Sequence, residues 1–177
     1  FFPSRRRHTR YISVTGVQTC ALPIWLAYEE GVRIPLFARS PKRIPAGTRR
    51  NQIVLTLDFA PTLAELGGAE VPAGLHGRSF VPLLTTNPAD WRDSFLIEHF
   101  SENVFPRTRG LGYQAVRTEH WKYIHYVEVP GADELYALTR ALFEMRNLAG
   151  AAGTQGELAR LKAELARLVA ASGGNLR

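Results

Sequence analysis

The sequence predicts a truncated α/β fold joined to a small α+β fold: the end of an α/β domain, followed by a small antiparallel sheet with a C-terminal helix. Two observations favour the α/β part, an apolar run at residues 32–39 and an amphipathic pattern at residues 55–68. A third favours the α+β part, because alternating strand patterns at residues 94–140 precede an amphipathic pattern at residues 156–172. This order of elements is typical of two different layers in one chain.

The first element, VRIPLFAR at residues 32–39, is nearly continuous in apolar side chains. Such a run fits a strand that is buried on both faces of a sheet, beneath helices. The stretch that follows contains Pro41, Pro45 and Gly47, so we expect a loop there.

The second element, LTLDFAPTLAELGG at residues 55–68, predicts one helix. Asp58 is the expected N-cap, because its carboxylate can accept hydrogen bonds from the free amides of the first turn. Pro61 falls within that turn, where its missing amide costs little. Gly67 and Gly68 offer the left-handed residue at which helices commonly end. The expected apolar face comprises Phe59, Leu63 and Leu66.

Short strands are predicted next. SFLIEHF at residues 94–100 is a mostly apolar strand, and YQAVRTEHWKYIHYV at residues 113–127 is a hairpin that turns near residues 118–120. DELYALTR at residues 133–140 is a further strand, and GELARLKAELARLVAAS at residues 156–172 is an amphipathic helix. The apolar stripe of this helix and the glycines that end it are Leu158, Leu161, Leu165, Leu168, Val169, Gly173 and Gly174.

The composition is that of a globular protein, with 45% hydrophobic and 21% charged residues. No apolar run approaches the ~20 residues that a membrane helix needs, so we predict no membrane partner. The net charge of +6 first suggests a phosphate-rich partner. However, residues 1–24 hold four arginines and no acid, and without them 18 basic side chains face 16 acidic ones. We therefore predict no nucleic-acid partner for the remainder.

Residues 1–24 show no helical stripe, no sustained alternation and no cap signals. They contain the only cysteine, Cys20, so disulfides are excluded from the rest of the chain. Three interpretations remain open: a basic arm for nucleic acid, a secretory signal with a short and interrupted apolar stretch, or foreign sequence. The string SRRRHTRYISVTGVQTCALPI resembles translated sequencing-adapter DNA, so we expect an artefactual, unstructured leader.

Residues 25–177 contain few catalytic patterns. They contain no phosphate-binding glycine loop, no HExxH, no cysteine pair and no GxSxG elbow. Glu29 and Glu30 are adjacent on a segment expected to be extended, where neighbouring side chains point in opposite directions, so a structural role is favoured over a carboxylate dyad. The histidines fit no zinc spacing. His99 is the best candidate for a ligand contact, because it ends a strand and precedes a polar loop.

Six strings in fixed order then resemble a known family. YEEGVRIPL, LDFAPTLAELGG, GLHGRSFVPLL, AVRTEHWKYIHY, ELYALTR and FEMRNLA are similar to the C-terminal part of type I sulfatases, formylglycine-dependent members of the alkaline-phosphatase superfamily. The resemblance covers about residues 25–170. It implies that residues 25–90 are the C-terminal end of the sulfatase-like α/β domain and that residues 91–177 form a small C-terminal α+β subdomain.

The resemblance also implies which catalytic parts to look for. The family's sulfate-binding lysine stands four residues before the tyrosine of its YE.G.R.P motif, and counting back from Tyr28 gives Ile24. The family's nucleophile lies in a C/S-x-P-x-R motif, which the residues after Cys20 do not match. Its calcium is held by residues upstream of the position of Trp25. We therefore expect a fragment without the catalytic centre, inactive by itself and binding no calcium.

In the implied parent enzyme, the small C-terminal sheet walls one side of the pocket and helps select the group attached to the sulfate. His99 and Arg107 are the candidate substrate contacts. The motifs are most similar to sulfatases that act on sulfated sugars, such as glucosamine-6-sulfate or N-sulfoglucosamine, so the expected partners are a saccharide sulfate ester and the rest of the sulfatase domain. The family is compatible with a periplasmic or secreted location.

Two alternatives remain at this stage. One is a phosphate or phosphonate ester hydrolase of the same superfamily, which the upstream nucleophile motif would distinguish. The other is a basic nucleic-acid-binding module, which depends almost entirely on the arginines of residues 1–24.

Overall fold

The computed structural model describes residues 26–101, 109–139 and 143–176 of the 177-residue chain. Short helices occupy its first part, a four-stranded sheet its middle and one long helix its end. The helices are α1 (Glu29–Val32), α2 (Phe59–Leu66), α3 (Val81–Thr85) and α4 (Gln155–Ala171), with 3-10 turns at Thr56–Asp58 and Ala152–Thr154. The strands are β1 (Ser94–His99), β2 (Tyr113–Thr118), β3 (Trp121–Tyr126) and β4 (Glu134–Ala137).

The sheet is an antiparallel meander in the order β1-β2-β3-β4, which confirms the small sheet expected from the alternating patterns. His99 pairs with Tyr113 at one end, and Ser94 pairs with Thr118 at the other. The β2–β3 hairpin turns at residues 119–120, where Thr118 Oγ1 accepts a hydrogen bond of 3.0 Å from the Trp121 amide. The hairpin and its turn are therefore where the sequence predicts them.

The two faces of the sheet pack against different parts of the chain. One face, here called the helix face, contributes Val116, Tyr123 and Leu135 to a core shared with α4. The predicted stripe of α4 is confirmed, and the three members that are buried are Leu161, Leu165 and Val169. The opposite face, here called the motif face, is covered by Ala27 and Tyr28. Its buried members are Tyr113, Ala115, Ile124, Tyr126 and Tyr136.

The strand predicted at residues 32–39 is wrong in this structure. Residues 33–40 have no regular secondary structure, and the side chains of Ile34 and Phe37 are 64% and 91% exposed. A strand exists only when neighbouring strands satisfy its backbone donors and acceptors. Within the described residues the only strand pairings are those of β1 to β4, so this segment has no neighbour.

Helix α2 is confirmed, but its burial differs from the prediction. Pro61 and Thr62 are its buried residues, whereas the expected apolar face is exposed, with Leu63 at 63%. The reason is the same as for residues 33–40, because the described residues provide no sheet for this face to cover. Gly68 takes the left-handed conformation (φ 71°) that ends the helix, as expected.

Asp58 is not the side-chain N-cap of α2. Its carboxylate instead accepts hydrogen bonds from the amides of Leu55 (2.7 Å) and Arg78 (2.8 Å) and from both terminal nitrogens of Arg92. It is fully buried, so these partners replace the water that it loses. Asp58 therefore ties its own turn to two segments that lie 20 and 34 residues further along the chain. None of the helices in the described part of the chain combines the length and apolar character that a membrane span requires.

Candidate functional site

Residues 26–33 form a compact unit on the motif face. Tyr28 is extended, and its carbonyl accepts from the amides of Gly31 (2.9 Å) and Val32 (3.1 Å), which folds the four residues after it into α1. Ala27 is 1% exposed among the tyrosines of the sheet. This geometry presents the side chains of Tyr28 and Glu29 to the sheet, where each has its own set of polar partners.

Tyr28 is held by Glu134 of β4. The hydroxyl lies 3.0 and 3.1 Å from the two carboxylate oxygens, and the Tyr136 hydroxyl donates to the same carboxylate at 3.0 Å. The rings of Tyr28 and Tyr136 also meet edge to face at 6.1 Å. Burial, together with the charge of Glu134, raises the pKa of both tyrosines far above the ordinary value. Both phenols therefore stay protonated and act as donors.

Glu29 is held by two cations of the sheet. Its carboxylate lies 2.7 Å from Lys122 Nζ and 3.2 Å from an Arg117 terminal nitrogen. Burial alone would raise the pKa of Glu29, but the hydrogen bonds from Arg117 and Lys122 outweigh it and hold that pKa below its usual value. Glu29 is thus an anion in the interior, paired on two sides.

Glu144 completes this arrangement, here called the charge cluster (Glu29, Arg117, Lys122 and Glu144). Its carboxylate lies 2.8 Å from Lys122 Nζ and accepts a hydrogen bond of 2.6 Å from the Glu29 amide. The Lys122 side chain is fully buried between the two carboxylates. Glu144 has a φ of 50°, a conformation that few non-glycine residues adopt. Two anions and two cations make the cluster neutral overall.

The prediction for Glu29 and Glu30 is partly corrected. They lie on a helical turn rather than an extended segment, and Glu29 is buried while Glu30 is exposed, so the two do not share a site. No sequence motif singles out Lys122, Glu134 or Glu144. The available signal was the hairpin alternation, which places Lys122 on the same face as Ile124 and Tyr126 and thus predicts a charged side chain inside the core.

His99 lies at the end of β1, half-buried on the motif face. Its ring stacks on Tyr113 with centroids 5.4 Å apart, and burial raises the pKa of Tyr113 to about 12. The cavity beside His99 has a volume of about 10 Å³ and is also lined by Gly112 and Glu128. That volume suffices for about one water molecule. A ligand contact by His99 therefore stays a prediction, and Arg107 and Ile24 lie outside the described residues.

The other histidines within the described residues do not form a site. His76 and His120 are exposed, and His125 Nδ1 lies 2.9 Å from an Asp133 carboxylate oxygen that faces the helix side. Across residues 26–101, 109–139 and 143–176, no group of three or more His, Cys, Asp or Glu side chains could hold a metal ion. Buried carboxylates that calcium would need are instead neutralised by lysine and arginine. The described residues do not fit a calcium site, and their chemistry is positioning and charge pairing.

The chain is similar to several known proteins. Residues 25–171 match the family model of the C-terminal region of N-sulphoglucosamine sulphohydrolase. The N-acetylglucosamine-6-O-sulfatase of Bacteroides thetaiotaomicron is 34% identical over 146 residues, which are 80% of this chain and 25% of that enzyme.

Solved structures add the fold. One, in complex with its substrate D-glucosamine-2-N,6-O-disulfate, has a TM-score of 0.72 and 31% identity, covering 79% of this chain and 28% of the other. A phosphonate monoester hydrolase from Silicibacter pomeroyi has a TM-score of 0.54 and 26% identity, covering 64% of this chain and 25% of the other. The chain thus spans about a quarter of the length of these relatives.

Proposed function

The chain belongs to the sulfatases, within the family of the N-sulphoglucosamine sulphohydrolase C-terminal region, and from this premise we propose that it serves a hydrolase of sulfate esters. The substrate class that we propose is a sulfated sugar. Support comes from the relatives, since one is an N-acetylglucosamine-6-O-sulfatase and another binds a glucosamine disulfate.

The observation that carries this proposal is the seating of residues 26–33 on the motif face. Tyr28 and Glu29 belong to the motif that identifies the family, and each is bound by strands of the small sheet. The sheet would thereby be fixed against the chain segment that, in the family, leads from the sulfate-binding lysine. We propose that the C-terminal subdomain, residues 91–177, forms a side wall of the substrate pocket and that residues 25–90 end the α/β domain.

We further propose His99 and Arg107 as substrate contacts in the complete enzyme. His99 is the last residue of β1, and the end of a strand is a position from which ligand-binding loops typically start. The formylglycine nucleophile and the calcium that would balance the sulfate charge are proposed to come from the rest of the sulfatase domain, the expected partner of this chain.

A chimaera tests the proposal directly. Residues 26–176 replace the matching C-terminal quarter of the Bacteroides N-acetylglucosamine-6-O-sulfatase, and sulfate release from 6-O-sulfated N-acetylglucosamine is measured. We expect turnover by the chimaera and none by the same enzyme truncated before the exchanged region. A folded chimaera without turnover, beside an active parent, would contradict the proposal.

The chimaera also tests His99. We expect His99→Ala to raise KM by about tenfold with a smaller change in kcat, because a side wall binds the substrate and transition state alike. His76→Ala, an exposed histidine outside the proposed wall, is the matched control and should change neither constant.

A second candidate is a phosphonate ester hydrolase, which the likeness to the Silicibacter enzyme favours. A second chimaera, in which residues 26–176 replace the matching part of the Silicibacter enzyme, is assayed with an aryl phosphonate monoester and compared with the sulfatase chimaera. The fraction of parental activity that each chimaera retains decides between them, and we expect the larger fraction in the sulfatase.

A further inference from the structure

A second cleft lies at the end of the sheet opposite His99. The starts of β1 and β3, the β2–β3 turn and the middle of α4 surround it. Its volume is about 240 Å³, compared with about 10 Å³ for the cavity beside His99. The lining residues are Asp93, Ser94, Thr118, Glu119, His120, Trp121, Arg160 and Glu164. The space suits one group of the size of a sugar ring.

Trp121 provides an aromatic wall. It packs against the core of the helix face but is only half-buried, so part of its ring borders the cleft. Trp91 differs, since its indole nitrogen donates to the Ile53 carbonyl at 2.7 Å. For Trp121 no such bond from the indole nitrogen is found among the described residues. A ring with an apolar face and a free donor is suited to a ligand that is itself part apolar and part polar.

The lining carries more negative than positive charge. Asp93, Glu119 and Glu164 are acids, whereas Arg160 is the one lysine or arginine among the eight lining residues. Glu164 accepts hydrogen bonds from Ser94 Oγ (2.6 Å) and from Arg167, which fix its side chain in place. The hydrogen bond from Arg167 is the main cause, and that from Ser94 a smaller one, of a Glu164 pKa below its usual value. The cleft therefore repels anions and attracts cations.

Two charged residues just outside the lining, Arg167 and Glu157, carry opposite charges that cancel each other. Arg167 pairs with Glu164, and Glu157 pairs with Arg160 at 2.5 Å. Glu157 occupies Nε and one terminal nitrogen of Arg160, and the guanidinium has five N–H donors in all. Arg160 can therefore still donate to a ligand hydroxyl while its charge is balanced.

We propose that this cleft binds an amino sugar with a protonated amine and discriminates against the same sugar carrying a sulfate on its nitrogen. The ring would lie against Trp121, the ammonium near Asp93 and Glu119, and hydroxyls on Glu164 and Arg160. A sulfate would bring negative charge beside Asp93 and Glu119, whereas the charge of Glu164 is balanced by Arg167. The choice of a sugar rests on the proposed function; the preference for a cation rests on the charges of the cleft. Such a site would retain saccharide that has already lost its N-sulfate.

The test uses three sugars that differ only at the nitrogen: glucosamine (cationic), N-acetylglucosamine (neutral) and N-sulfoglucosamine (anionic). Each is titrated into the full chain, and the indole ¹H–¹⁵N signal of Trp121 is followed, assigned with Trp121→Phe. We expect a saturable shift with glucosamine, an affinity for N-sulfoglucosamine about tenfold weaker, and an intermediate value for N-acetylglucosamine. The Trp91 signal should not move, and it verifies the fold of every variant.

Asp93→Asn combined with Glu119→Gln removes two exposed charges of the cleft. We expect this variant to weaken glucosamine binding at least about fivefold and to leave N-acetylglucosamine binding nearly unchanged. Glu70→Gln, an exposed acid outside the cleft, is the matched control. A Trp121 signal that does not shift, equal affinity for all three sugars, or unchanged glucosamine affinity in the double variant would each overturn the proposal. None of these results bears on the sulfatase chimaera, which measures sulfate release at another site.

Discussion

Replacing Lys122 by methionine should strongly destabilise the fold. Lys122 is fully buried, with its ammonium 2.7 Å from Glu29 and 2.8 Å from Glu144. At an effective dielectric constant of about 20, charges at such distances attract by about 6 kcal/mol. Part of this attraction offsets desolvation, so the measured effect is smaller, and removing one partner from a buried ion pair costs about 3–5 kcal/mol. Methionine has a similar shape, so the loss reports charge rather than packing.

The assay is urea unfolding followed by tryptophan fluorescence, with the free energy of unfolding extrapolated to water. Lys162→Met is the matched control, since Lys162 is 52% exposed and lies 3.6 Å from Asp133, and it should change stability by less than about 1 kcal/mol. The triple variant Glu29→Gln, Lys122→Met and Glu144→Gln removes the three most deeply buried charges of the cluster and leaves Arg117, whose side chain is 18% exposed, so it should recover part of the loss. A loss below about 1 kcal/mol for Lys122→Met, or a triple variant no more stable than the single one, would refute this reasoning.

Three further predictions concern pH, backbone contact and activity. The pKa of Glu29 is lowered in the folded state, so the stability that Glu29 contributes is fully present above the ordinary glutamate pKa and is lost as pH falls through the lowered value. Between pH 7 and pH 3 the free energy of unfolding of the wild type should therefore fall by more than that of the triple variant. Gly77→Ala should lower the free energy of unfolding by more than about 2 kcal/mol in the same urea assay, because a Cβ at Gly77 would lie 2.0 Å from the Leu57 carbonyl oxygen. Gly150→Ala is the control and should change stability little, because a Cβ at Gly150 would meet open space. Equal effects of the two substitutions would contradict the close contact at Gly77. The 177-residue chain alone should show no calcium-dependent turnover of an aryl sulfate, and robust turnover would disprove the expectation that the nucleophile lies elsewhere.

Local patterns were sufficient for much of the fold. The alternation of the β2–β3 hairpin and the stripe of α4 predicted both elements, because a strand or helix with one buried face must repeat its apolar residues with a fixed period. The apolar runs at 32–39 and along α2 were also real features of the sequence. The burial expected for these apolar residues is not observed, because burial requires a partner surface that the described residues do not supply.

The candidate site was less accessible to sequence reasoning. The family motif drew attention to Tyr28, but nothing local to Glu29 indicates that its partners are Lys122 and Glu144. Asp58 illustrates the same limit. Its position suggests a helix N-cap, but its carboxylate binds Arg92, which is 34 residues away. An ion pair forms wherever the backbone brings opposite charges together, and sequence spacing does not encode that meeting.

The sequence alone determined the family, the hairpin and the closing helix, because motif strings and periodicity are properties of short stretches of chain. Only the tertiary structure decided that Lys122 becomes a buried cation between two carboxylates and that Trp121 borders an acidic cleft. The physical reason is that burial and electrostatic pairing depend on distances between residues far apart in the chain, and those distances exist only once the sheet, α1 and α4 have packed.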